Sequence, residues 1–117
     1  TVYANLKPGG RLVGMNDNPR TSLDRYGSYA AYGFSREVEQ PRREGARVRY
    51  SFFRPDGTSF GFDNFWLAPQ TYEEVFAEAG LAGFRFVDPL AASPEGEDWS
   101  GFLRDCPITG LAAHRPG

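Results

Sequence analysis

Leu6-Lys7-Pro8-Gly9-Gly10-Arg11-Leu12-Val13-Gly14-Met15-Asn16 decides how the rest of the chain is read. An apolar residue closes a helix, and Lys-Pro-Gly-Gly stops it and turns the chain. Arg11 to Met15 then continues as a short, mostly apolar strand. Pro8 cannot extend a helix and biases Lys7 away from helical angles, while Gly9 and Gly10 permit the positive φ of a tight reversal. A strand entered this way suits a parallel sheet covered by helices, so the fold class expected is α/β.

Working outward, Thr1 to Leu6 places Val2 and Leu6 at i and i+4, a helix end too short to be stable alone. Asn16-Asp17-Asn18-Pro19 is a turn cluster. At the carboxyl end of a strand in an open α/β sheet, Asn16 and Asp17 would face the ligand crevice, with an ordinary capping turn as the alternative. Tyr26, Tyr29, Tyr32 and Phe34 lie among small residues and read as an aromatic lid or as rings packed on a sheet. Glu37 to Gly45 reads as a solvated loop. Arg47 to Phe53 and Ser59 to Phe65 alternate polar and apolar around Pro55-Asp56-Gly57, which predicts a β-hairpin with Phe60 and Phe62 sharing a face.

Pro69 to Ala79 is the best helix: Pro69 suits its first turn, Tyr72, Val75, Phe76 and Ala79 form an apolar stripe, and Gly80 closes it. The start is set either at Ala68-Pro69 or at Thr71, which has capping-box spacing with Glu74. Phe84 to Val87 and Ile108 to His114 read as strands. They are separated by a Pro/Gly/acidic loop from Pro89 to Asp98 and a short helical stretch carrying Trp99, Phe102 and Leu103.

The order helix, L-K-P-G-G-R-L-V strand, aromatic insert, helix ending Ala79-Gly80 and two closing strands resembles the late part of a class I S-adenosylmethionine (SAM) dependent methyltransferase. The resemblance covers nearly all 117 residues. It implies a partial Rossmann-like methyltransferase sheet made of late strands, one parallel plus an antiparallel pair, with a β-hairpin insert. Residues 1–117 would be the C-terminal part of a single methyltransferase domain, with 45–66 as the substrate-side insert. The implied substrate-binding residues are Asn16, Tyr29, Tyr32, Phe34, Asn64, Phe65 and Trp66; Phe65 and Trp66 have a second reading as a plug under the helix.

No G-x-G-x-x-G turn or close relative is present, so no cofactor-binding residue is assigned to this chain and SAM is expected only in an intact protein. The expectation is a C-terminal half that neither binds SAM nor turns over alone. A missing N-terminal half or a second copy would cover the edge of the Arg11–Met15 strand. The rival is a self-contained α+β module, binding a hydrophobic ligand or a partner protein without catalysis.

Composition narrows the classes. A net charge of −2 with scattered basic residues gives no footprint for nucleic acid or an anionic membrane. One cysteine, Cys106, makes no internal disulfide, and no apolar run reaches membrane-spanning length, so the cytoplasm is the expected location. One His and one Cys build no zinc site. Ten Phe, six Tyr and two Trp exceed what a small core needs, and a ligand or partner surface could use the surplus, with a core that happens to be aromatic as the alternative. The methyl acceptor implied by the resemblance is a small molecule. Methyl transfer mainly requires positioning of the acceptor. If a general base is used, Asp17, Asp24 and Asp63 are the candidates by type, while Tyr26, Tyr29 or Tyr32 could hydrogen-bond the acceptor; no motif selects a catalytic residue.

Overall fold

A computed structural model describes residues 1–27, 29–90 and 100–117. In chain order it contains α1 (Val2–Asn5), β1 (Arg11–Asp17), short 3-10 turns at Leu23–Arg25 and Ala30–Tyr32, β2 (Phe34–Val38), β3 (Ala46–Phe53), β4 (Ser59–Trp66), α2 (Pro69–Glu78), β5 (Ala82–Val87), α3 (Ser100–Arg104) and β6 (Ile108–His114). The expected loop from residue 91 onward and Trp99 fall outside the described residues.

The Lys-Pro-Gly-Gly bend forms as the residues dictate. Gly9 takes φ +77°, and the Gly10 N–H donates to the Lys7 carbonyl at 2.8 Å. The bend is stitched to the segment after β6: Gly9 N–H donates to the Arg115 carbonyl and Arg115 N–H to the Gly10 carbonyl, each at 2.9 Å. Arg115 Nη1 also donates to the Tyr3 and Leu6 carbonyls, a cation satisfying the open end of α1.

The expected α/β class, a partial Rossmann-like methyltransferase sheet with one parallel strand, is corrected. Among the described residues every strand pairing is antiparallel, and the strands form two three-stranded sheets ordered β1-β6-β5 and β2-β3-β4. The physical reason lies in what a parallel neighbour demands. Parallel strands need a crossover of a dozen or more residues, commonly helical. Among the described residues the helices span 4, 10 and 5 residues. The bend at Pro8 therefore delivers β1 to the last strand of the chain, in register from Arg11 opposite His114 to Asp17 opposite Ile108.

The second sheet exceeds the expected hairpin by one strand. β3 and β4 pair from Ala46–Trp66 to Phe53–Ser59, around a turn in which Asp56 accepts hydrogen bonds from the Thr58 N–H and hydroxyl. Phe34 to Val38, expected partly as lid and partly as loop, adds to β3 as β2. Strand alternation puts Phe34, Arg36 and Val38 on the face shared with Val48, Tyr50, Phe52, Phe60, Phe62 and Asn64. Tyr26, Val48 and Tyr50 are the buried centre of that face, with Phe34, Val38, Phe52 and Trp66 packed around them.

α2 starts at Pro69, and Ala68 at the capping position before it offers no side-chain cap; the Glu44 carboxylate accepts the Ala68 N–H at 2.6 Å. Thr71 does not act as the cap, and Gly80 follows the helix at φ +86°. The helix lies on one face of the β1-β6-β5 sheet through Phe76 against Phe84, 4.5 Å between ring centroids, and Tyr72 against Phe86, 5.8 Å. The opposite face carries Val13, Met15, Arg85 and Val87, and there Val13 is 74% and Met15 61% exposed.

Candidate functional site

The carboxyl end of β1 is where the two sheets meet. Asp17 is buried, and its Oδ1 accepts from Arg36 Nη1 at 2.5 Å and from the Tyr50 hydroxyl. Arg36 Nη1 also reaches the Pro107 carbonyl, and its guanidinium lies 4.1 Å over the Tyr26 ring. Burial is the largest single influence on Arg36 and would lower its pKa, but the charge and hydrogen bond of Asp17 together with Tyr50 and Tyr26 outweigh it, and the net shift is upward. Burial, followed by the Asp17 charge, pushes the Tyr50 phenol far above its ordinary value. The group is thus a neutral phenol beside a buried ion pair. Next to it, Asn18 donates from Nδ2 to the Cys106 carbonyl at 2.8 Å, fixing the loop that leaves β1.

One residue before Asp17, on the other face of β1, Asn16 opens a second group. Its Nδ2 donates to the Tyr72 hydroxyl at 3.2 Å, and its Oδ1 accepts from Asn64 Nδ2 at 3.4 Å. Asn64 is held in turn by accepting the Phe65 N–H at 2.9 Å. Three elements, β1, β4 and α2, therefore place two amides and a phenol together. The Tyr72 oxygen receives the Asn16 amide, and no acceptor for its own proton lies among the described residues. Burial raises the Tyr72 pKa as well, so that proton stays on the phenol.

Beside Asn64 on the same strand face stand Phe62 and Phe60. Phe62 stacks on Tyr50 with centroids 5.1 Å apart, and Phe60 on Phe52 at 5.2 Å. Phe34 continues the row at 5.9 Å from Phe52, and Tyr29 stacks on Phe34 at 5.4 Å. The aromatic stack spans all three strands of the sheet and ends on edge strand β4, where Phe62 is 47% exposed.

The expected site residues divide among these groups. Asn16 and Asn64 meet. Tyr29, Tyr32 and Phe34 gather with Phe102, whose ring is 6.4 Å from Tyr29 and 5.4 Å from Tyr32. Tyr29 is fully buried and donates its hydroxyl to the Asp105 carbonyl, so it anchors α3's end rather than facing open space. Phe65 points to the opposite face of its sheet and is 55% exposed. Trp66 lies apart from the amide pair: its Nε1 donates to the Pro19 carbonyl at 3.0 Å, and Arg42 covers its ring. Of the candidate bases, Asp17 is occupied by Arg36, Asp63 pairs with Arg49 on the outer face and Asp24 sits in an exposed 3-10 turn.

Tyr72, Phe60 and Phe62 were not among the expected site residues. The alternation of Phe60, Phe62 and Asn64 along one strand face was the available signal for the last two. Tyr72 was absorbed into the apolar stripe of its helix, where nothing in the sequence marks the direction of its hydroxyl. Among the described residues no group of three or more His, Cys, Asp or Glu side chains converges to hold a metal, and no helix is long and apolar enough to cross a membrane.

No family model matches the chain, and no match to a curated protein is found.

Proposed function

We propose that this chain is the acceptor-side portion of a SAM-dependent methyltransferase acting on a small molecule in the cytoplasm, with the cofactor held by a separate segment. The carrying observation is the state of β1. One long edge has no strand partner among the described residues, and Val13 and Met15 stand exposed on the face away from α2. An apolar strand with an open edge and a bare face is an interface awaiting cover. The polar end of that same strand carries Asn16, joined to Asn64 and Tyr72. The cover and the candidate acceptor site thus share one element.

The chemistry suits the division. SAM supplies the reactive methyl carbon, and the transferring protein needs chiefly to orient the acceptor and exclude water. Asn16, Asn64 and Tyr72 are orienting groups, and the aromatic stack is an apolar floor. SAM itself has no seat here: the chain has no glycine-rich strand-turn-helix, and no residue in it is assigned to the cofactor.

A second reading has its own support. Wholly antiparallel pairing in both sheets is what a non-catalytic α+β module for a hydrophobic ligand or a protein partner would show. The two differ in what covers β1. Light scattering on this chain, alone and mixed with the polypeptide encoded upstream of Thr1, separates them. The transferase reading expects self-association of the isolated chain and a one-to-one complex, or a continuous polypeptide, once the upstream part is supplied. A stable monomer that ignores the upstream polypeptide sinks it and leaves the module.

A further inference from the structure

We infer that the outward face of Phe62 seats a planar aromatic ring bearing an oxygen acceptor, such as a phenol, with that oxygen taking the Tyr72 proton. The inference deepens the acceptor-side reading and rests on it only in treating the bound ring as the methyl acceptor.

Three observations converge. First, the stack across β2, β3 and β4 is built from parallel rings, with Phe62 at 11° to Tyr50 and 21° to Phe52. Such a stack can be extended at its open end by one more flat ring, which gains both apolar burial and stacking. Second, the two open ends on β4 differ. The Arg54 guanidinium lies 4.6 Å over Phe60, whereas among the described residues Phe62 meets only Tyr50 and Phe52, on its inner side. Phe60 carries a cation over its ring and Phe62 carries none among the described residues. Third, Asn64 is two residues along the same strand face, about 7 Å from Phe62 by strand geometry. Through it Asn16 and Tyr72 stand at the rim. With its oxygen accepting from Asn16, Tyr72 has a proton that makes no hydrogen bond among the described residues, so the ligand must bring an acceptor atom.

A saturated ring of equal size would keep the burial and lose the stacking.

The test is an aromatic-region NMR titration of the full chain with 2-naphthol, and in parallel with decahydro-2-naphthol, its saturated counterpart. In the unmodified protein the Phe62 ring resonances are expected to move with 2-naphthol while those of Phe65, on the other face, stay in place. Phe62→Leu should weaken 2-naphthol binding about two- to tenfold, and Phe65→Leu less than twofold. Tyr72→Phe should weaken 2-naphthol and leave naphthalene, which brings no oxygen, unchanged. Equal binding of the saturated alcohol, shifts centred on Phe65, or a self-association that buries Phe62 at titration concentrations would overturn the inference; the wild-type shifts decide it even if a variant misfolds. None of these readings involves SAM. Intact naphthol binding with no SAM binding by the extended protein would therefore end the transferase reading and spare the aromatic seat.

Discussion

Asp17 at the end of β1 and Arg36 in the middle strand segment of β2 form an ion pair at 2.5 Å with both side chains almost wholly buried, and this pair bolts one three-stranded sheet to the other. Arg36 is left with Nε and Nη2 unpaired among the described residues, so Asp17 is its main electrostatic support. Arg36→Met should strand the Asp17 carboxylate and lower stability by about 3 to 5 kcal/mol, whereas the double change Asp17→Leu with Arg36→Met should recover most of that loss. Urea unfolding of the three proteins measures both numbers.

The same site gives a pH dependence. The Tyr50 phenol has a higher pKa folded than unfolded, where it titrates near 10.0. Between those values the folded state holds the proton that the unfolded state has released, so stability is full below about pH 10 and falls as pH rises beyond it. The slope is at most about 1.4 kcal/mol per pH unit for this group, with Tyr26, Tyr29 and Tyr72 shifted in the same direction. Thermal melts from pH 9 to 11 should show the fall, and Tyr50→Phe should flatten it.

Gly83 sits at φ +65° in the irregular stretch of β5, and a Cβ there would lie 2.9 Å from His114 Cε1. Gly83→Ala meets both a left-handed backbone and a ring it must displace. A loss of about 1 to 2 kcal/mol is expected in the same unfolding assay. Gly14→Ala, which meets open space in the flat part of β1, should change stability little.

Trp66 fastens the hairpin to the loop after β1 through its bond to the Pro19 carbonyl and its contact with Arg42. Trp66→Phe keeps most of the ring and loses the N–H donor. About 1 to 2 kcal/mol should go with it, and Arg42→Gln in that background should add less than it does alone.

Val13 and Met15 test the bare face. Replacing both with Thr removes apolar surface that nothing covers here, so stability of the isolated chain should change by less than about 0.5 kcal/mol per site while its solubility rises. Under the transferase reading, the same pair of changes should weaken capture of a cofactor-side segment, read by light scattering.

Local chemistry carried much of this structure in the sequence. Pro8 and Gly9 mark the bend, Pro69 and Gly80 bracket α2, and Pro55-Asp56-Gly57 sits between two alternating runs that pair residue for residue. What local chemistry does not carry is which strand a strand meets. β1 reads alike beside a parallel or an antiparallel neighbour, and its partner β6 lies almost a hundred residues away. Phe34 to Val38 escaped because Arg36 and Glu37 look solvated, when Arg36 is in fact buried against Asp17. Within the site, Asn16 and Asn64 were visible as a turn amide and a strand-end amide. Tyr72 was not, since its role depends on the direction of a hydroxyl set by the packing of α2 on Phe86.

The central claim is that cofactor and acceptor sides reside in different segments, and calorimetric titration with SAM tests it most directly. The 117-residue chain alone should give no binding heat, and the chain extended by a cofactor-side segment should bind SAM in the micromolar range. Low-micromolar SAM affinity in the 117 residues by themselves, or none in the extended protein, would contradict the account.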